Sequence, residues 1–111
     1  MNWIEITSVQ QVEQIREKSK EKPQVIFKHS TRCSISSMAK SRLERSEWPA
    51  NTDFYYLDLI SHRNISTKVA EVFKVYHESP QVLLIKDGKC VYDESHYAIS
   101  MDDIKSQVGA N

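Results

Sequence analysis

Apolar and polar residues fall along this chain in blocks whose period switches between that of a strand and that of a helix. Trp3-Ile4-Glu5-Ile6 has strand composition. Thr7-Ser8-Val9-Gln10-Gln11 then reads as a helix start, a hydroxyl cap followed three residues on by Gln. Val9, Val12 and Ile15 give that helix one apolar stripe, with Arg16, Glu17 and Lys18 turned to water. After a loop ended by Pro23, Val25-Ile26-Phe27 is continuously apolar, as expected of a strand covered on both faces. Ser30-Thr31-Arg32-Cys33 follows as a loop, and Ile35, Met38, Ala39 and Leu43 predict a second helix that stops at Trp48-Pro49. Asp53 to Leu59 predicts another strand; Ile65, Val69, Val72 and Phe73 mark a third helix. Gln81–Lys86 and Cys90–Asp93 read as two strands, and Asp87-Gly88-Lys89 between them predicts an antiparallel hairpin. Ser100 is placed to cap a last helix, with Asp102 and Asp103 at its positive end.

The predicted order is β-α-β-α-β-α-β-β-α. Strands separated by helices imply right-handed parallel crossovers, and the hairpin adds an antiparallel edge. The expectation is an α/β, three-layer sandwich with a mixed central sheet and a C-terminal hairpin, which is the thioredoxin-like order. With 111 residues and no repeat or linker, residues 1–111 read as a single domain able to build one core without a metal or disulfide staple. A fold hosts many activities, so the chemistry has to come from particular residues.

Composition narrows the classes. Fifteen Lys and Arg balance fifteen Asp and Glu, which lacks the basic excess of a nucleic-acid binder. No apolar run approaches the roughly 18 residues of a membrane span. The start, Met1-Asn2-Trp3-Ile4-Glu5, shows no basic region followed by an apolar stretch, so a cytoplasmic location is expected. Two cysteines, Cys33 and Cys90, are too few for a secreted disulfide scaffold and suit a reducing compartment where thiols stay free. The cysteines and His29, His62, His77 and His96 form no C-x2-C or H-x3-H pair, so no metal site is expected. No Gly-rich phosphate loop suggests a bound nucleotide or flavin.

Cys33 stands where the loop after a buried strand meets a helix start. Unpaired backbone N–H groups and the positive helix end favour a thiolate there, and Arg32 adds a neighbouring positive charge. Taken alone, Cys-x-x-Ser is a weak motif. Ser79-Pro80, at the start of the strand before the hairpin, strengthens it: in thioredoxin-like sites that proline is cis and sets backbone beside the thiol, where an incoming disulfide pairs. Dithiol sites carry a resolving cysteine three residues after the first, and here that position is Ser36. Cys90 follows the hairpin turn, roughly 15–20 Å from the site at strand rise, and reads as a packing residue. The site is therefore expected to be monothiol. The returning strand brings Ser95-His96-Tyr97 back to the same end, where His96 is a candidate donor to the thiolate or a substrate. His29 also falls near the site, whereas His62 and His77 read as solvated loop residues, and Trp48, Tyr55 and Tyr56 as packing.

At Lys28-His29-Ser30-Thr31-Arg32-Cys33-Ser34-Ile35-Ser36, with Ser79-Pro80-Gln81 and Ser95-His96 downstream, the sequence resembles the bacilliredoxin family. It is most similar to the small monothiol, YtxJ-like branch once grouped with general stress proteins, and the similarity runs from Trp3 to the last helix. Members often have Pro after the cysteine, where this chain has Ser34. The resemblance implies an oxidoreductase that removes bacillithiol from S-thiolated cytosolic proteins, with Cys33 as the attacking cysteine and Pro80 as the cis-proline. Ser79, Arg32, Ser36 and His96 are expected around the substrate. The low-molecular-weight thiol, bacillithiol or another, would be a co-substrate, with no bound cofactor. Two other classes fit the same residues: a non-enzymatic binding module using the groove around Pro80, and a redox sensor whose Cys33 accepts an adduct.

Overall fold

The computed structural model describes residues 2–110; Met1, the first residue of the N-terminal segment considered above, and Asn111, the end of the expected domain, lie outside them. The elements are β1 (Ile4–Glu5), α1 (Val9–Lys18), β2 (Gln24–His29), α2 (Ser34–Arg45), β3 (Asp53–Asp58), α3 (Arg63–Phe73), β4 (Gln81–Lys86), β5 (Lys89–Ser95), a 3-10 turn (His96–Ala98) and α4 (Met101–Val108). The five strands form one sheet in the order β1-β3-β2-β4-β5. β1, β3 and β2 are parallel, and β4 and β5 are each antiparallel to the preceding neighbour in that order.

Alternation along β2 shows why its sequence is apolar without interruption. Ile26 packs on one side with Val12 and Ile15 of α1 and Ile65, Val69 and Phe73 of α3. Val25 and Phe27 pack on the other with Ala39 and Leu43 of α2 and Met101 and Ile104 of α4. Two helices therefore cover each face of a mixed sheet, and successive side chains of a central strand enter opposite cores. β2 runs two residues past its apolar stretch, so Lys28 joins the α1/α3 side and His29 the α2/α4 side; both are buried.

The local signals for turns and caps hold. Gln11 Oε1 accepts from the Thr7 and Ser8 amides at 2.6 and 3.1 Å, closing the first turn of α1. Ser100 Oγ accepts from the Asp103 amide at 3.1 Å at the start of α4. Asp87 and Gly88 both have positive φ, 52° and 78°, the two-residue hairpin geometry that Asp-Gly favours. One boundary differs: α2 ends at Arg45 rather than at Trp48-Pro49. Ser46 Oγ donates to the Arg42 carbonyl at 2.8 Å and Trp48 Nε1 to that of Leu43 at 2.8 Å, so side chains satisfy carbonyls a further turn would have used. Trp48 is held in that place by Trp3 and Phe54, whose rings lie 4.9 and 4.5 Å from its own.

Candidate functional site

The β2–α2 connection is short because β2 must deliver the chain straight to the helix. Cys33 is the N-cap of α2, with extended backbone (φ −112°, ψ 120°). Its amide donates to the Ser30 carbonyl at 3.1 Å and its carbonyl accepts from the Ser37 amide at 3.0 Å. Among the described residues the amides of Ser34, Ile35 and Ser36 have no backbone acceptor, the ordinary state of a helix start. Cys33 is half-buried and is a free thiol. Arg32 beside it is exposed and makes no ion pair among the described residues.

The β2–β4 register pairs Lys28 with Gln81, so Pro80 continues that antiparallel ladder at the sheet end from which the Cys33 loop departs. The Ser79–Pro80 peptide is cis, as expected from the proline's place in the chain. Pro80 is buried, and its carbonyl accepts from the His96 amide at 3.0 Å. Ser79 Oγ is buried without a hydrogen-bond partner among the described residues. The fold thus gathers Cys33, Ser79, Pro80 and His96 at one end of the sheet. The His96 imidazole is half-exposed and lies 3.3 Å from a Glu78 carboxylate oxygen, so its side-chain partner is an acid and not the thiol.

Ser36 departs from expectation. Its spacing from Cys33 predicts a place beside the substrate, yet its side chain is fully buried. Its Oγ accepts from the Ser30 amide at 3.0 Å and lies 2.6 Å from His29 Nδ1. Burial, and then the nearby Lys40, pull the His29 pKa below its usual value, so the imidazole is neutral at pH 7 and can take the Ser36 hydroxyl proton in that bond. The position that holds the resolving sulfur in a dithiol site is occupied here by a hydroxyl spent on internal bonds.

The reading of one polar residue also changes, and another enters unannounced. His77 is exposed but not merely solvated: its Nδ1 lies 3.3 Å from Lys28 Nζ and 3.2 Å from Ser66 Oγ. Lys28 is the residue that the sequence pattern hides. The apolar run stops at Phe27, but strand alternation carried one residue further puts Lys28 inside the α1/α3 core. Burial pushes its amine down to about 8.

Cys90 pairs with Ile85, five residues of strand beyond Pro80 and thus about 17 Å from it at strand rise. Its sulfur packs against the α1/α3 core and donates to the Tyr92 carbonyl at 3.4 Å. Burial pushes this thiol up to about 11. At pH 7.5 roughly one part in a few thousand of Cys90 is thiolate, so iodoacetamide should add to the native protein once, at Cys33. Intact-mass and peptide mapping check this, and a second addition at comparable rate would contradict the assignment.

Acid should weaken the fold for a related reason. His29 and His77 both have lowered pKa values, chiefly through desolvation. The unfolded chain then binds protons more readily: the stability is in place above about pH 6.5 and is lost as pH falls through the folded values. Urea unfolding should therefore give a lower stability at pH 5 than at pH 7, and an equal or higher stability at pH 5 would contradict it.

Comparison with known proteins agrees with this geometry. The family described as monothiol bacilliredoxin BrxC matches residues 4–104 of the chain. A solved structure of a candidate oxidoreductase with a thioredoxin fold is 30% identical, covers 96% of this chain and 93% of its own, and superposes with a TM-score of 0.83. Thioredoxin from Malassezia sympodialis is similar at 20% identity, 96% and 88% coverage and a TM-score of 0.74. Mitochondrial thioredoxin 3 from Saccharomyces cerevisiae is similar at 17% identity, 96% and 92% coverage and a TM-score of 0.67. These last two share the fold alone. No helix among the described residues is long and apolar enough to cross a membrane.

Proposed function

The chain belongs to the monothiol bacilliredoxin family, and on that premise we propose that it is a thiol-disulfide oxidoreductase that removes a low-molecular-weight thiol, bacillithiol first among them, from S-thiolated cytosolic proteins. The observation that carries this reading is one half-buried free thiol at a helix start. The position three residues on is a buried, fully engaged serine, and the other thiol is distant and kept in its protonated form by burial.

The chemistry follows from one sulfur. The Cys33 thiolate attacks the small-thiol sulfur of the mixed disulfide; a new S–S bond forms to Cys33, the old one breaks, and the protein sulfur leaves as thiolate. A second molecule of the small thiol, as thiolate, then attacks the adduct. It frees the Cys33 thiolate and departs as the symmetrical small-thiol disulfide. Each step conserves one disulfide, so no metal or organic cofactor is needed. The Ser79–Pro80 segment beside the thiol is the docking edge in this reading, with Arg32 and His96 exposed at its margin. Cytoplasmic location belongs to the same proposal.

The test is a comparison of turnover on one protein carrying bacillithiol, glutathione or coenzyme A in mixed disulfide, each recycled by its own free thiol. The assignment requires a clear preference for bacillithiol; equal rates with all three would undo it.

A further inference from the structure

Lys28 has no exposed surface, and its amine makes no ion pair among the described residues. Its one hydrogen-bond partner there is His77 Nδ1 at 3.3 Å. An ammonium group only donates, so Nδ1 is the acceptor and His77 is neutral with its proton on Nε2. A buried cation with one neutral partner is costly to hold, and the core does not require it. On the same face, Ile26 along β2 and Leu57 across on β3 are apolar, and Gln81 across on β4 is a neutral amide.

What the amine touches gives its purpose. His77 belongs to the loop between α3 and β4, three residues before Pro80. Gln81, opposite Lys28 in the β2–β4 register, donates from Nε2 to the Tyr76 carbonyl at 3.0 Å. Ser66 Oγ of α3 lies 3.2 Å from the same His77 Nδ1. Two neighbouring buried side chains, Lys28 and Gln81, thus hold Tyr76 and His77 from beneath. Those residues lead through Glu78 directly into Ser79-Pro80.

We infer that Lys28 is a positioning residue for the exchange reaction: through His77 it holds the Tyr76–Pro80 segment where a mixed disulfide docks beside Cys33. This rests on the function proposed above. The charged or titratable groups around the contact are Arg63 of α3, and Glu78 of the loop itself. That burial lowers the amine only to about 8 means the ammonium persists at neutral pH, where it can hold His77.

The experiment compares wild type with Lys28→Met and His77→Ala, using a protein mixed disulfide of bacillithiol. Lys28→Met replaces an underpaired buried charge with an apolar chain of similar length, so its Tm should rise by about 5 °C. Its KM should rise about tenfold with kcat changed by less than about twofold. Iodoacetamide should label Cys33 at the wild-type rate. Chymotryptic cleavage after Tyr76, an exposed residue of the held segment, should quicken about tenfold. His77→Ala, at an exposed residue, should reproduce the KM rise, and the double variant should be no worse than either single one. The inference is overturned by unchanged KM and unchanged cleavage after Tyr76, by effects that multiply in the double variant, or by a fall in Tm of Lys28→Met alongside the KM rise. That last pattern would mean the lysine supports the fold and not the docking edge. Should wild type fail to act on the mixed disulfide, the proposed function fails, and the cleavage comparison still decides the role of Lys28.

Discussion

Cys33→Ala should abolish turnover of a mixed disulfide, by at least about a thousandfold in kcat/KM, which corresponds to more than about 4 kcal/mol of lost transition-state stabilisation. The size follows from the chemistry. Alanine leaves the α2 cap and the docking edge in place but removes the sulfur that must form the new S–S bond. Cys90 cannot substitute. It sits at the hairpin end of β4–β5, half-buried, with its thiol held up near 11. Stability should change little, because Cys33 makes no side-chain capping bond and is only half-buried. Enzyme assay and urea unfolding of the same preparation separate loss of nucleophile from loss of fold. A binding module would instead keep its partners in a pull-down with this variant, and activity above a hundredth of wild type would exclude Cys33 as the attacking group.

Ser36→Cys should produce the opposite kind of change, a gain. It creates the Cys-x-x-Cys spacing in which a second thiol attacks the adduct on the first. Resolution then becomes intramolecular, and its rate no longer depends on free small thiol. The new thiol would replace a hydroxyl that lies 2.6 Å from His29 Nδ1, so the neutral imidazole can accept a hydrogen bond from it. The reduced variant should be less stable by about 1 kcal/mol, since sulfur is a weaker acceptor for the Ser30 amide that Ser36 now satisfies. After one turnover, mass spectrometry should find a disulfide between Cys33 and the introduced thiol in place of a small-thiol adduct. Persistence of the adduct in this variant would show that the helix start does not let the two sulfurs meet.

Much of this is readable from local sequence. The five strands and four helices follow from apolar period, the hairpin from Asp87-Gly88, and the α4 cap from Ser100, because each depends on neighbours within a few residues. The place of Cys33 at a helix start is legible for the same reason. What is not legible depends on distant partners. α2 stops early because Trp48 is fixed by Trp3, 45 positions away, and then caps Leu43. Ser36 looks like a substrate contact because its spacing from Cys33 is visible, while the direction of His29 is not. That direction requires knowing that β2 continues through two polar residues. Lys28 and His77 meet across 49 positions, with nothing in either segment to announce the other.

In the proposed reaction one sulfur does the chemistry and needs an outside thiol to finish it. A single-turnover experiment tests this: equimolar reduced protein and a bacillithiol mixed disulfide of a second protein, with no free small thiol, quenched in acid and weighed intact. One released protein thiol and one bacillithiol adduct mapped to Cys33 should appear, with no further change until free bacillithiol is added. Cys33 should then return and the small-thiol disulfide form. A Cys33–Cys90 disulfide, or continued turnover with no free thiol present, would contradict it.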